Sequence, residues 1–343
     1  MHLQKEIAQQ PAVIERLLND GKALTEAVAT SIHDFNPSYA CIAARGTSDN
    51  AAHYAQYMFG GMLRIPVMLA TPSLHTVYGT PPNLSQALVI GISQSGQAED
   101  VRTVLSDANQ QGALTLAITN FEESPLAQTA KYHLPLLAGR ELSVAATKTY
   151  TAQLTVIAML TGALAGNHMM RKDLSALPRL AAQALRLGEE IASWAQRYRY
   201  IDRLITLGRG FNYATACEIS LKVKELNYIA SEGYSEANFR HGPIAAIDRG
   251  HPVILVSPHG KNLAGMVDMC RRLNELGAET LVISNNSDLL GQGRQAMTIP
   301  STPEWLSPIL AVMPGQIFAM QQALARGYEV DKPRGLSKVT ITE

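Results

Sequence analysis

The chain has 343 residues, which at about 100 to 200 residues per domain calls for two domains or one unusually large one and excludes a single small module. Its 29 Lys plus Arg balance 29 Asp plus Glu, so it lacks the basic footprint that counterion-driven binding of DNA, RNA or an anionic membrane needs. Hydrophobic residues make up 46 % and charged residues 17 %, below the roughly 25 % usual for soluble domains, which leaves a large core and points to surface buried in an oligomer.

In chain order, residues 1–34 read as an N-terminal helical segment and residues 35–166 as the first α/β domain. Short aliphatic runs bounded by Gly, Pro, Asn or Ser predict buried strands at 40–44, 67–70, 87–92 and 114–118. Between them, Val101, Val104, Leu105 and Ala108 recur at i, i+3, i+4, i+7 and predict a crossover helix. Strand, helix, strand implies a parallel sheet. A helical stretch from about Thr151 to Arg199 follows, with 167–199 as the linker, then a second domain over 200–328 and a tail over 329–343. The longest apolar stretch, 154–166, is well short of the ~20 residues a membrane span requires. No signal sequence opens the chain, and Cys41, Cys217 and Cys270 form no C-x-x-C pair and are odd in number. A reducing compartment follows, and the expected location is the cytoplasm.

The second half repeats the plan of the first. Arg45-Gly46 lies 48 positions before Ser93, and Arg209-Gly210 lies 48 positions before Ser257. Gly112 with Ala117-Ile118-Thr119-Asn120 matches Gly277 with Val282-Ile283-Ser284-Asn285 at an offset of 165, one more than the 164 between the earlier pairs. These offsets read as a tandem duplication of one α/β unit with a single insertion.

Several motifs carry chemistry. Ser93-Gln94-Ser95-Gly96-Gln97 falls where a buried strand turns toward a helix, a place where free N–H groups and the helix dipole attract an anion. An ordinary Ser cap turn reads the same way. Arg45-Gly46-Thr47-Ser48, after the preceding strand, adds hydroxyls at the same carboxyl edge, where doubly wound sheets bind ligands. Glu218, Lys222 and Glu225 stand at i, i+4, i+7 and share one helix face, either as a solvated ladder or as a reactive cluster. His241, between Arg240 and Gly242-Pro243, sits in a rigid turn and is suited to moving protons near neutral pH; a structural histidine is the alternative. Gly208-x-Gly210 has Tyr213 where a dinucleotide fingerprint needs its third glycine, the His and Cys show no metal-ligand spacing, and G-x-S-x-G is missing. No cofactor is expected.

Taken together these residues resemble the isomerase half of the glucosamine-6-phosphate synthases, a tandem pair of sugar-isomerase (SIS) domains. The likeness spans Gln4-Lys5-Glu6-Ile7 with Gln10-Pro11, Gly46-Thr47-Ser48, Ser93 to Gly96, Val144-Ala145-Ala146-Thr147-Lys148, Glu218 to Glu225, His241-Gly242-Pro243, and Asp331-x-Pro333-Arg334-x-Leu336-Ser337-Lys338. The resemblance implies that Gly46, Thr47, Ser48, Ser93, Gln94 and Ser95 hold a sugar phosphate, with Val144 and Ala146 lining the sugar and Ser337 beside them. It also implies Glu225 as acid/base carboxylate, His241 as the ring-opening residue and Lys338 as the Schiff-base lysine, supported by Glu218 and Lys222. Only the first half keeps S-x-S, where the second has Ser257-Pro258-His259, so one site per subunit is expected. The family's histidine reaches the site from a neighbouring subunit, which implies a homodimer.

Two positions depart from the family: Ala98 stands where its cradle usually has Thr, and Ala146 where it usually has Ser. Met1-His2 leads directly into the isomerase region, so the glutaminase domain is expected to be missing and glutamine not to be the nitrogen source. The leading expectation is therefore a glucosamine-6-phosphate deaminase yielding fructose 6-phosphate and ammonia. A fructosamine-6-phosphate deglycase or another SIS phosphosugar isomerase is the alternative, and a non-catalytic sugar-phosphate sensor a more distant one.

Overall fold

A computed structural model describes residues 1–338; of the expected tail over 329–343, residues 339–343 lie outside the described residues. The chain forms two compact units. The first comprises Gln9–Glu141, Lys148–Leu177 and the chain from Ser337; the second comprises Met1–Ala8, Leu142–Thr147 and Pro178–Leu336.

The first unit holds β1 (Tyr39–Ala44), β2 (Val67–Leu69), β3 (Ala87–Ile92), β4 (Leu114–Thr119) and β5 (Tyr132–Pro135) in the order β2-β1-β3-β4-β5. Every pairing is parallel. All six residues of β3 and of β4 are buried, as expected of strands covered on both faces. On the helix Glu99–Gln110, Val101, Val104, Leu105 and Ala108 enter the same core cluster as Cys41, Ala43 and Val89, so the sequence stripe faces the sheet. The strand β5 gave no apolar run; it is short, partly exposed and at the sheet edge, where Pro135 costs no ladder bond.

The second unit repeats this order with β6 (Arg203–Gly208), β7 (Ala230–Ser235), β8 (Pro252–Val256), β9 (Glu279–Ser284) and β10 (Gln295–Thr298), arranged β10-β9-β8-β6-β7 and all parallel. The duplication extends to single hydrogen bonds. Ser93 N–H donates to the Ile118 carbonyl at 3.1 Å, and Ser257 N–H to the Ile283 carbonyl at 3.0 Å. Thr115 Oγ1 donates to Asn109 Oδ1 at 2.7 Å, and Thr280 Oγ1 to Asn274 Oδ1 at 3.0 Å.

The segment 1–34 forms the helices His2–Asp20 and Lys22–Phe35, and the stretch between the sheets forms Lys148–Leu164, His168–Ser175, Leu177–Ala184 and Gly188–Ala195. Among the described residues no helix is long and apolar enough to cross a membrane. All three cysteines are free, and burial pushes the Cys41 thiol up to about 12 and the Cys270 thiol to about 11, so neither is a thiolate at neutral pH.

Asp331 ties the tail of the second unit to its N-terminal helix. Its carboxylate accepts the N–H groups of His2 and Leu3, both at 2.8 Å, and its carbonyl accepts Val144 N–H at 3.0 Å. These N–H groups are orphans of the first helical turn, so a carboxylate 328 residues from Leu3 acts as their cap. Burial works against the Asp331 carboxylate, but the N–H donors of Leu3 and His2 outweigh it and hold the carboxyl below its usual range. A depressed folded-state value contributes stability above the unfolded value of about 3.9 and loses it as pH falls through the folded value. Below about pH 4, the melting temperature of the native chain is therefore expected to fall more steeply than that of Asp331→Asn, which lacks the titrating group. Parallel pH profiles for the two proteins would contradict this.

Candidate active site

The topology of the first unit marks where a ligand belongs. The chain leaves β1 toward β2 on one side and returns to β3 on the other, so the switch point lies between β1 and β3, the usual crevice of a doubly wound sheet. The register pairs Ala44 with Ile92, which brings the turns after both strands side by side. Gly46 has φ of +56°, a left-handed conformation that lets the chain turn directly into the helix Thr47–Met58. Ser48 is buried, and its Oγ accepts from Gln153 Nε2 at 2.9 Å.

After β3, Ser93 Oγ accepts Gly96 N–H at 3.1 Å and Ser95 Oγ accepts Gln97 N–H at 3.3 Å, which folds 93–98 into a loop before the helix Glu99–Gln110. Gly96 has φ of +66°, and a Cβ there would run into the Ser124 side chain, so only glycine fits. The N–H groups of Gln94, Ser95 and Ala98 donate to no described residue. Opposite them, Arg45 Nε holds the buried Asp100 at 2.6 Å while half of the Arg45 side chain stays exposed. N–H groups without a described acceptor thus precede the helix whose Asp100 holds a partly exposed guanidinium.

The equivalent edge of the second unit is filled by its own chain. Pro258 has no N–H, His259 N–H donates to Asn285 Oδ1 at 2.6 Å, and the Glu304 carboxylate accepts Lys261 N–H at 3.0 Å and Asn262 Nδ2 at 3.3 Å. A carboxylate on these donors repels a phosphate. The two copies therefore differ at this edge: the S-x-S turn keeps N–H groups without a described acceptor, and the S-P-H turn has its donors engaged by Asn285 and Glu304.

The second unit instead carries the Glu-Lys-Glu face, on the helix Tyr213–Asn227. It is not a solvated ladder. Side-chain exposure is 0 % for Glu218, 1 % for Lys222 and 21 % for Glu225. Lys222 Nζ lies 3.4 Å from Glu218 Oε1 and donates to Glu225 Oε2, so one ammonium bridges two carboxylates and solvent reaches only the last of them. The helix is buried on most of its faces and ends at Tyr228 in a left-handed conformation, with φ of +57°.

In the same unit, Ser143, Ala145 and Thr147 are buried while Val144 and Ala146 are partly exposed, an alternation that puts the two expected sugar-lining residues on one side of the loop. Glu6 holds this loop, accepting Ser143 N–H at 3.1 Å as well as Leu142 N–H and the Ser143 hydroxyl. His241 ends the short helix Glu236–Arg240 and is exposed. Its neighbour Arg240 is clamped by the fully buried Glu236 and by Asp268 at 2.9 Å, so the turn carrying His241 is fixed from the side of Arg240.

At the chain's end, Ser337 is exposed and Lys338 Nζ donates to Glu141 Oε2 at 2.7 Å, within the first unit. Glu141 and Glu304 had no signature in the sequence, and Asp331 stood only as the first residue of the tail motif; the significance of each comes from partners far along the chain.

Comparison with known proteins agrees with this architecture. The family model described as the SIS domain matches residues 37–163 and 198–326. The chain is 33 % identical over 344 aligned residues to a glutamine–fructose-6-phosphate aminotransferase [isomerizing] of Aquifex aeolicus, covering 99 % of this chain and 57 % of that protein. The chain thus spans somewhat over half the length of the curated relatives it matches. Among solved structures, the C-terminal domain of glucosamine-fructose-6-phosphate aminotransferase from Francisella tularensis superposes with a TM-score of 0.88 at 25 % identity, over 97 % of this chain and 98 % of that one. Glucosamine-6-phosphate deaminase from Thermotoga maritima shares the fold, with a TM-score of 0.81 at 22 % identity and full coverage of both chains.

Proposed function

Because the chain belongs to the SIS-domain family, with two such domains in tandem, we propose that it is an amino-sugar-phosphate isomerase that converts glucosamine 6-phosphate and water to fructose 6-phosphate and ammonia. The observation that carries this reading is the buried Glu218–Lys222–Glu225 network, because a carboxylate positioned by a buried ammonium and still reached by solvent is what a proton shuttle requires. In the proposal the 93–98 loop with Thr47 and Ser48 holds the phosphate, and His241 opens the pyranose ring. Glu225 takes the proton from C2 and returns it to C1, one carboxylate acting as base and then acid at adjacent carbons. The ammonium on C2 gives a proton to O1, and the product is an iminium at C2 with C1 as a hydroxymethyl group.

Lys338 then displaces ammonia by transimination before water releases the ketose. Its pairing with Glu141 must open for this to happen. Water and ammonia compete for the same carbon, and water is in great excess in dilute solution, so the net direction is hydrolysis. The partly exposed Ala146 leaves a small pocket wall, suited to a bare amino group. The reading includes a cytoplasmic homodimer in which His241, exposed on a single chain, serves the partner's substrate.

The test is to incubate the chain with glucosamine 6-phosphate and follow both products. Equal release of fructose 6-phosphate and ammonia is expected. Turnover of a fructosamine 6-phosphate with none of glucosamine 6-phosphate would assign a deglycase instead.

A further inference from the structure

We propose that Glu141 is the proton acceptor that converts the Lys338 ammonium into a nucleophile; this rests on the reading that Lys338 attacks C2. A solvated lysine, with a reference value of about 10.4, is neutral in only about one molecule in a few thousand at pH 7, so an attacking lysine needs a base beside it. Glu141 Oε2 lies 2.7 Å from Lys338 Nζ, and the Glu141 side chain is fully buried while that of Lys338 is one-quarter exposed. One group is buried and the other reaches the surface.

The carboxylate is held independently of the lysine. Thr149 donates its N–H to Oε1 at 3.2 Å and its hydroxyl to Oε2 at 2.8 Å, which fixes Glu141 at the start of the 17-residue helix Lys148–Leu164. The neighbouring cation Lys148 is engaged elsewhere, donating to Gln9 Oε1 at 2.9 Å and to the Arg140 carbonyl at 2.8 Å. Nor is a tether the evident need: seven residues upstream, Asp331 already anchors the tail, and the Arg334 guanidinium stacks 4.2 Å from the Tyr228 ring centre. When substrate covers the pair, lost hydration disfavours both charged forms and brings the neutral pair within reach.

The steps balance. The Lys338 ammonium gives a proton to Glu141, leaving an amine and a carboxylic acid. The amine's electron pair forms the Nζ–C2 bond, a proton passes from Nζ to the departing nitrogen, and the C2–N bond to that nitrogen breaks to release ammonia and a Lys338 iminium. Water adds at C2 and the Nζ–C2 bond breaks, giving the ketone and the Lys338 ammonium. Ammonia then carries away the proton stored on Glu141 as ammonium ion.

The experiment traps the lysine adduct, using fructose 6-phosphate as the probe and cyanoborohydride as the reductant, with mass spectrometry of Lys338 and a melting curve for each variant. The native chain is expected to trap at pH 7. Glu141→Gln keeps the size of the side chain but cannot take the proton, so trapping at pH 7 is expected to fall by roughly 10² and to recover near about pH 9.5, where solvent removes the proton. Glu141→Asp, which keeps a carboxylate, is expected to retain the native pH profile at a lower rate. Native trapping by Glu141→Gln at pH 7 overturns the inference and leaves the Lys338 reading standing. A loss that persists at high pH makes Glu141 a tether and also overturns it. A native chain that releases ammonia yet never traps on Lys338 overturns the Lys338 reading and the inference with it.

Discussion

Glu225→Gln is expected to bind glucosamine 6-phosphate nearly as well as the native chain and to turn it over roughly 10² times or more slowly, the usual scale for a lost general base. The substitution keeps the size of the side chain and leaves an oxygen for Lys222, so the buried network persists; what disappears is the capacity to hold a proton between C2 and C1. The decisive readout is exchange of the C2 proton with deuterated solvent, because it reports the first proton transfer without waiting for ammonia to leave. Native exchange in Glu225→Gln would remove the residue from the mechanism, whatever happened to overall turnover.

Lys222→Met is expected to cost about 3–5 kcal/mol of stability, the range for removing one partner of a buried charge pair. The reason is Glu218. Its carboxylate has no solvent exposure and lies 3.4 Å from the Lys222 ammonium, so without that cation a negative charge stays in a poorly hydrated interior next to a second one on Glu225. A fall in melting temperature on the order of 10 °C follows for a unit of this size. The double variant Glu218→Gln/Lys222→Met should regain most of the loss, since a neutral amide no longer needs the cation. If the double variant is no more stable than the single one, the penalty comes from packing and the electrostatic account fails. Both variants are expected to be inactive, because Glu225 loses the group that orients it.

One helix shows how far residue spacing reaches. Glu218, Lys222 and Glu225 repeat at the same spacing whether the face is bathed in water or closed by neighbours, and ion pairs on an exposed helix contribute only about 0.2–0.5 kcal/mol each. Spacing could nominate the trio but not choose. Burial of the helix on most of its faces made the choice, and that burial comes from β7 and from the helix Ser307–Ala325, elements that local periodicity does not see. Glu141 was less legible still, because its partner on the tail is 197 positions away.

By itself the sequence determined the parallel α/β plan, its duplication and the glycine turns at the carboxyl edge of the first sheet. Strands covered on both faces must be continuous apolar runs, as at β3 and β4, and left-handed turns need glycine, as at Gly46 and Gly96. Both are local constraints, written in consecutive residues. The tertiary structure alone decided which charges are buried, that Glu304 closes the second copy's edge, and that Asp331 caps a helix at the other end of the chain. Those are pairings between residues far apart in sequence, where the free energy depends on desolvation and close contact, quantities that exist only once the chain has folded.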